Sequence, residues 1–507
     1  MVLVTILTLI AAPIILLLFN ELIGYLKVLN YRKQGIKNAK YVPLLLFMKK
    51  MMDGYQSDDV LKFRKDEMVD LDPNQPFFVM SAGRRCQLYL HSNEAAKEFY
   101  AKEIQVTEKV NYMPQVDFLG FFFKNGQEVQ DKRAIFAKIF HYSNVVSMLP
   151  GIRETVRKHV RLLKERVVEA GGELKVHLKK EFSAQLFDDL SGEILFKGSS
   201  NKLTERFEGL TVPQLTQKMF KKYVDGCYNF LNRLPFVAAL GLNKEAKELQ
   251  RLQRGLREIV KNEYKRRYNN SNLDDTCVLD IMIGINKEFE KETGKPKFTM
   301  EEIASTFEMF QFAASDTSFH LSSSCICYLA KEENQKYQER LGKELQSTFE
   351  ANLHYWSEDL SSVKELDLVF RETGRLSNSA PVLLERIAMK DFELCGCKVN
   401  KGDKIEQILI NYQPEYYKDP SKFNPDRFDS ESPEYNKAPH LRRSMFSHGK
   451  RSCIGRYLGE MMVKLVVGEF LKELEVSTEK GYEIKFGYDP AYGVKNPDLI
   501  LKVRESS

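Results

Sequence analysis

One cysteine near the C-terminal end lies in a loop punctuated by glycines, in the run Phe446-Ser447-His448-Gly449-Lys450-Arg451-Ser452-Cys453-Ile454-Gly455. Gly449 and Gly455 are expected to allow left-handed turns and a close approach of the backbone to a flat ligand. A helical pattern from Arg456 to about Leu474 follows at once. Cys453 is therefore expected at a helix N-terminus, where the helix dipole and free N–H groups favour a thiolate over a thiol.

Two further residues of this loop suit a thiolate that binds a haem iron. Arg451 adds positive charge beside the sulfur, and Phe446 supplies an aromatic shield. The loop fits the pattern Phe-x-x-Gly-x-Arg-x-Cys-x-Gly at every fixed position, and it resembles the haem-binding loop of the cytochrome P-450 haem-thiolate monooxygenases. The alternative is a buried structural cysteine in a glycine turn, which five agreeing positions disfavour.

A second run, Ala313-Ala314-Ser315-Asp316-Thr317-Ser318, lies within a predicted helix. It resembles the family's long central helix, although Ala314 stands where glycine is usual. The resemblance implies that Ala313 lies against the haem and that Asp316 and Thr317 are catalytic and deliver protons. A mid-helix threonine can bond a carbonyl three or four residues back and distort the turn, which makes room for water. In isolation, an Asp-Thr pair on a helix is more often solvated surface.

Three charged residues form a third pattern ahead of the cysteine loop. Glu372 and Arg375 share one face of a predicted helix because they are three residues apart. Arg427 follows in a loop interrupted by Pro425. These residues resemble the family's Glu-x-x-Arg helix and Pro-x-Arg segment, whose charged groups interlock behind the haem loop. The resemblance implies a structural ion-pair network.

Haem propionates are carboxylates and call for basic partners. Arg451 in the cysteine loop is the first candidate. Arg386 stands where many family members carry a propionate-binding arginine. Arg133 matches the arginine of the family's Trp-x-x-x-Arg helix, but Val129 replaces the tryptophan.

Composition sets the broad class of the protein. The 507 residues are 43% hydrophobic and 29% charged, and the net charge of +6 comes from 76 basic against 70 acidic residues. This small excess gives no reason to expect nucleic-acid binding. Eight cysteines in so long a chain do not form a disulfide framework. Cys395 and Cys397 are expected on one face of a strand, as structural cysteines rather than a metal pair.

The N-terminal segment predicts a membrane anchor. Residues 1–20 carry no charged side chain, and about 20 such residues span the hydrocarbon core of a bilayer. No basic residue precedes the run and no small-residue cleavage site follows it, which disfavours a cleaved signal peptide; a buried core helix is the other alternative. Basic residues follow at Lys27, Arg32, Lys33, Lys37 and Lys40.

These basic residues keep the rest of the chain in the cytoplasm by the positive-inside bias. We predict a transmembrane anchor at 1–20, a basic juxtamembrane linker at 21–40 and a catalytic domain at 41–507. The resemblance to the microsomal members of the family implies a single-pass protein of the endoplasmic reticulum membrane.

Hydrophobic periodicity indicates a mainly helical body with small sheets toward both ends, an α+β chain. Strands are expected within 73–92, at 393–410 and from Tyr482 onward, and amphipathic helices at 152–169, 244–267 and 300–345. This pattern is similar to the cytochrome P-450 fold, in which haem lies between the long central helix and the helix of the cysteine loop.

The resemblance implies a monooxygenase that contains haem b and inserts one atom of dioxygen into an apolar small molecule. Its electrons come from NADPH through a flavoprotein reductase, with cytochrome b5 as an optional further donor. Two alternatives remain. One is a reductase-independent isomerase or lyase that acts on peroxides, which the Asp316-Thr317 pair disfavours, and the other is a non-catalytic haem sensor.

Overall fold

The computed structural model describes residues 2–56, 72, 74–111, 116, 120–197, 206–229, 243–269, 272–351, 363–380, 385–407, 417–435, 437, 445–488 and 491–505. The chain forms two compact units. Unit 1 comprises Met1–Val110, Pro381–Lys418 and Ala438–Ser452, and unit 2 comprises Asn111–Ala380, Asp419–Lys437 and Cys453–Ser507.

In its described residues, unit 1 combines three helices with one mixed sheet and a hairpin. Its helices are α1 (Val2–Lys33), α2 (Leu44–Gln56) and α3 (Asn93–Val106). Its strands are β1 (Ala39–Tyr41), β2 (Phe77–Ala82), β3 (Arg85–Leu90), β4 (Thr107–Lys109), β6 (Arg386–Ala388), β7 (Phe392–Leu394), β8 (Cys397–Val399) and β9 (Lys404–Gln407). The sheet order is β1-β2-β3-β9-β6-β4.

The strands expected within 73–92 are confirmed as β2 and β3, an antiparallel pair that turns at Gly83 with φ 53°. The strands expected from 393 onward are confirmed as β7, β8 and β9 in the described residues. The expectation that Cys395 and Cys397 share a strand face is wrong. Cys395 and Gly396, with φ of 50° and 74°, form the turn of the β7–β8 hairpin, and only Cys397 is in a strand.

The C-terminal half of α1 packs against unit 1. Gly24, Val28 and Tyr31 lie on one helical stripe and are buried. A Cβ at Gly24 would overlap the carbonyl oxygen of Gly83, so only glycine allows the helix to come this close. Residues 21–33, expected as part of a linker, thus belong to a continuous helix that starts at Val2.

Asp403 joins this helix to the sheet through buried polar contacts. Its carboxylate, with no exposed surface, accepts hydrogen bonds from Lys27 Nζ at 2.7 Å and from the Tyr31 hydroxyl at 2.8 Å. Among the described residues, one helical segment is long and apolar enough to cross a membrane, Ile14–Lys33 of α1. The division into anchor, linker and catalytic domain stays a prediction.

Unit 2 is mainly helical. Its helices are α4 (Gln127–Ile139), α5 (Tyr142–Glu169), α6 (Ala184–Phe196), α7 (Val212–Tyr228), α8 (Lys244–Tyr268), α9 (Val278–Thr293), α10 (Met300–Ala330), α11 (Gln335–Ala351), α12 (Lys364–Leu376) and α13 (Arg456–Glu473). Its strands are β5 (Glu173–His177), β10 (Leu474–Ser477), β11 (Phe486–Tyr488), β12 (Tyr492–Val494) and β13 (Asp498–Val503). They pair as a β10-β13-β5 sheet and a β11-β12 hairpin.

The central helix α10 packs against α6, α8, α12 and α13 within unit 2. The expectation of one amphipathic stretch from Met300 to Leu345 is wrong in two respects. The chain leaves the helix at Lys331, and the Asn334 side chain caps it by donating to the Tyr328 carbonyl at 2.8 Å. α10 is also buried on nearly all sides, as expected for a helix apolar around its circumference. The predicted fold class, mainly α with small sheets, is confirmed.

Replacing Asp403 with asparagine should destabilise the protein, because the Lys27 ammonium then loses its counter-charge. Breaking a buried ion pair costs about 3–5 kcal/mol, and we expect a value near the lower end because Lys27 is 25% exposed. The thermal midpoint in detergent, followed by circular dichroism, should fall by several degrees.

Asp391→Asn is the matched control, since its pair with Lys398 at 2.7 Å is on the surface, with side chains 51% and 60% exposed. Such pairs contribute about 0–1 kcal/mol. Equal midpoints for the two variants would show that the Asp403 contact does not hold α1.

Candidate functional site

Cys453 follows a tight loop and precedes a helix. Gly449–Arg451 form a single 3₁₀ turn, and α13 begins at Arg456 with Gly455 as its N-cap. The thiol therefore lies three residues before the first helical residue. Cys453 is exposed.

The two glycines of this loop differ in conformation. Gly449 has φ 71°, and a Cβ there would stand 3.0 Å from the Tyr100 carbonyl oxygen, so both backbone and space require glycine. The left-handed turn predicted at Gly455 is wrong, because its φ is −85° as the cap of α13. Ser447, with φ 60°, takes the second left-handed position. Nothing lies within 4 Å of a Cβ at Gly455, and this open space suits a flat ligand.

Burial separates Cys453 from the other cysteines. All eight are free thiols, and Cys453 alone is exposed. Burial raises the pKa of Cys277 to about 11 and the pKa of Cys325 and Cys327 to about 12. Desolvation also raises the pKa of Cys395 to about 12. Because the thiolate is the metal ligand, these four thiols are poor candidates at neutral pH.

In unit 1, Arg386 and Arg451 are both buried beside one carboxylate that sequence reasoning missed. Glu103 of α3 accepts from the Arg451 backbone N–H at 3.3 Å, and its second oxygen lies 3.5 Å from Arg386 Nη2. The available signal was an acid at helical spacing between the apolar Phe99 and Val106. The Arg386 guanidinium is thus paired with Glu103, whereas Arg451 contacts Glu103 through its backbone and keeps its side-chain charge for an anionic ligand group.

His448, also missed from the sequence, lies beside this cluster in unit 1. Its ring is 5.7 Å from that of Tyr100, and burial lowers its pKa, so the imidazole is neutral at pH 7. Its Nε2 is buried and makes no hydrogen bond to the residues that the structure describes. Because buried polar atoms are nearly always paired, this nitrogen fits a bound carboxylate such as a haem propionate.

In unit 2, the longest half-buried run of α10 lies at the predicted site. Every residue at 303–311 and 318–327 is buried, whereas residues 312–317 are half-buried. This window contains Ala313 and Ala314, whose small side chains suit the face of a planar group. The Ser315 hydroxyl contacts the Ser191 hydroxyl of α6.

Thr317 ends this window, and its side chain bonds back to its own helix. The hydroxyl donates to the Ala313 carbonyl at 2.6 Å, and the Thr317 carbonyl accepts from the Ser379 hydroxyl at 2.8 Å. The helix is continuous through the window. Ser379 is a further residue that sequence reasoning missed.

Asp316 is held by residues from another part of unit 2. Its Oδ2 accepts from the Ala491 N–H at 2.7 Å, and its Oδ1 lies 3.8 Å from His320 Nε2. His320 is buried against Gly493, where a Cβ would overlap the imidazole. The carboxylate is thus oriented by the segment that leads into β12.

Glu372 joins two arginines in the interior of unit 2. It accepts from Arg375 Nε at 2.7 Å and Nη2 at 2.8 Å, and from Arg427 Nε at 3.1 Å. All three side chains are at most 5% exposed. Glu434, which sequence reasoning missed, accepts from Arg427 Nη1 at 2.5 Å. The structure thus brings together the three charged residues that the sequence pattern grouped.

The remaining candidates are placed as follows. Arg133 is half-buried on α4, one turn after the buried Val129. Phe446 is half-buried in the cysteine loop. Within unit 2, the structure brings Asp316 and Thr317 to one window of α10, and within unit 1 it brings Arg386 and Arg451 to Glu103.

A family model and several known proteins match this chain. A family model described as Cytochrome P450 matches residues 61–503. The chain is 28% identical over 227 residues to a sterol 14alpha-demethylase of Mycolicibacterium vanbaalenii, covering 44% of this chain and 48% of that protein. It is 30% identical to Cytochrome P450 4V2 of Rattus norvegicus over 40% of this chain and 38% of that protein.

A third alignment is longer. The chain is 23% identical over 437 residues to a tabersonine/lochnericine 19-hydroxylase of Catharanthus roseus, covering 83% of each protein. In the first two alignments the chain spans less than half of the relative's length.

Replacing Glu372 with glutamine should prevent stable folding of unit 2. The buried guanidinium groups of Arg375 and Arg427 would then lose the negative charge that they share. Loss of one partner from such a network costs about 3–5 kcal/mol. We expect a sharply lower yield of soluble protein and a lower thermal midpoint by circular dichroism.

Asp426→Asn is the control in the same short 3₁₀ turn as Arg427. Its pair with Arg340 at 2.7 Å is on the surface, with side chains 43% and 41% exposed. If Glu372→Gln melts at the same temperature as this control, the buried network does not carry the stability assigned to it.

Proposed function

This chain belongs to the cytochrome P450 family, and on that premise we propose that it is a membrane-anchored haem-thiolate monooxygenase. It inserts one atom of dioxygen into an apolar small molecule with electrons from NADPH. The observation that carries the proposal is the position of Cys453. It is the one exposed thiol, and it directly precedes α13, which packs against the half-open central helix α10.

Iron protoporphyrin IX bound through a cysteine thiolate supplies dioxygen activation and oxygen-atom transfer. The chain's own residues bind and orient this group. Cys453 would hold the iron through its sulfur, and Arg133, Arg386 and Arg451 would pair with the propionates. The small side chain at Ala313 would leave room for this planar group. Phe446, Gly449 and Gly455 shape and shield the loop of the ligand.

Thr317 and Asp316 hold protons at the open window of α10. Because the Thr317 hydroxyl donates to Ala313, its oxygen lone pairs remain to accept a hydrogen bond from water in the window. Asp316 is fixed by the Ala491 N–H and exchanges protons with solvent from the adjacent position. Together they would order a proton donor at this window of α10.

The substrate is an apolar small molecule in this proposal. The names of the relatives point to unlike molecules, a sterol in one protein and tabersonine or lochnericine in another. This variety supports the reaction class and no single substrate. The physiological electron donor is a flavoprotein reductase, with cytochrome b5 as an optional further donor.

The location follows from α1. Its N-terminal part spans the endoplasmic reticulum membrane once, and the basic residues Arg32 and Lys33 at its C-terminal end keep both units in the cytoplasm. This orientation brings the protein to an NADPH-dependent partner on the cytoplasmic side.

Replacing Cys453 with serine should abolish the red-shifted Soret band of the reduced carbon monoxide complex, because the thiolate ligand causes that shift. The band is measured by difference spectroscopy of dithionite-reduced protein in detergent. Cys395→Ser is the control, since that thiol lies in a hairpin turn of unit 1, and it should keep the band. A shifted band in Cys453→Ser would refute the assignment of the ligand.

Replacing Thr317 with alanine should uncouple NADPH oxidation from product formation while leaving the thiolate spectrum unchanged. Without an ordered proton donor, the reduced oxygen leaves as hydrogen peroxide. General acid–base groups contribute about 10²–10⁴-fold, so the loss of product per NADPH is measurable. NADPH consumed, peroxide released and product formed are compared for a substrate found by spectral screening.

Ser322→Ala is the matched control, because Ser322 bonds the Ser318 carbonyl at 2.8 Å one turn further along α10 but is buried. It should stay coupled. Wild-type coupling in Thr317→Ala would show that proton delivery does not use this hydroxyl. Turnover without NADPH would favour the isomerase or lyase alternative.

A further inference from the structure

We infer that a groove along α8 of unit 2 is a binding site for a soluble ligand that carries several phosphate groups. The groove has a volume of about 570 Å³, and the described residues that line it are Lys247, Gln250, Gln253, Arg254 and Arg257. All five belong to α8. Binding there requires neither haem nor a reductase, so this site is independent of the proposed function.

The spacing of these residues places them along one side of the helix. Lys247, Gln250, Arg254 and Arg257 follow one another at intervals of three, four and three residues, which return to the same helical face. Lys247, Gln250 and Arg254 are exposed, Arg257 is half-buried and Gln253 is buried. The groove is therefore open to water on its outer side, and Gln253 forms part of its floor.

The arginines of α8 differ in their partners. Those outside the groove are each paired with a carboxylate at 3.0 Å or less, in the pairs Arg251–Glu248, Arg266–Glu263 and Arg267–Glu263. In the groove, Arg254 and Lys247 form no ion pair within the described part of the chain. The buried Nε of Arg257 makes no hydrogen bond to a described residue. The arginine charge that carboxylates balance elsewhere on α8 is thus available to a ligand here.

Glu308 of α10 lies beneath the groove and orients its floor. This carboxylate is 1% exposed, and its Oε2 accepts from Gln253 Nε2 at 2.9 Å. Its Oε1 lies 3.8 Å from Arg257 Nε, too far for a hydrogen bond but close enough to offset part of the charge. Three cations and Glu308 leave an excess of two positive charges. Glu258, the residue after Arg257, is exposed and does not line the groove.

These groups match a ligand with phosphate groups in a chain. Guanidinium groups bind phosphate oxygens in a bidentate fork, and the lysine ammonium binds phosphate as a point charge. Lys247 and Arg257 are ten residues apart, about 15 Å along a helix, so a chain of phosphates contacts all three cations without drawing them together. None of the described lining residues is apolar. The lining therefore favours a water-soluble polyanion over a ligand with an acyl chain.

Equilibrium dialysis of radiolabelled tripolyphosphate with the full-length protein in non-ionic detergent tests this site. Lys247→Gln and Arg254→Gln each remove one exposed cation of the groove and break no ion pair of the described chain. Lys261→Gln is the matched control, because Lys261 is an exposed lysine one turn beyond Arg257 and does not line the groove. Circular dichroism checks that each variant keeps its helical content.

The wild-type protein should bind one tripolyphosphate per chain, and each groove variant should bind it about tenfold more weakly or worse, because a hydrogen bond between charged groups is lost. Lys261→Gln should keep the wild-type affinity.

No saturable binding to the wild-type protein, or wild-type affinity in both groove variants, would overturn the inference. An equal loss in Lys261→Gln also overturns it, since binding would then reflect a general attraction to a basic helix. Because binding is measured without NADPH or substrate, none of these results bears on the assignment of Cys453.

Discussion

A cysteine that is to bind iron has to expose its sulfur while the backbone around it stays fixed. In this chain the helix that follows Cys453, α13, fixes the backbone around the cysteine. α13 is buried along most of its length, and its Lys464, 1% exposed, donates to Asp367 of α12 at 2.7 Å and to Glu460 at 2.8 Å. The exposed Cys453 thus lies three residues before a helix that internal ion pairs hold in place.

The same helix α12 carries Glu372, so two buried charge networks meet on one element of unit 2. Buried charges contribute stability only when every member has a partner. Such networks also restrict geometry, because a bidentate guanidinium–carboxylate contact tolerates little displacement. We interpret these networks as the contacts that fix the position of α13 relative to the central helix α10. Unit 1 uses the same device at Asp403, which pairs with Lys27 and has no exposed surface.

The sequence predicts the fold and the centre of the site because these depend on local patterns. The cysteine loop, the small-residue run of α10 and the β2–β3 pair are contiguous, and their spacing carries the information. Glu103, His448 and Glu434 were missed because their roles depend on partners that are distant or on burial that no pattern records. The conformation of Gly455 was misjudged for a related reason, since a glycine pattern does not distinguish a left-handed turn from a close approach. The inward direction of Lys27 likewise depends on Asp403, and so on the tertiary structure.

The account rests on a bond between iron and the sulfur of Cys453. X-ray absorption at the iron K-edge of the purified full-length protein tests this bond without any mutation. We predict a first coordination shell that contains one sulfur scatterer together with the porphyrin nitrogens. A first shell of nitrogen and oxygen scatterers alone would contradict the account.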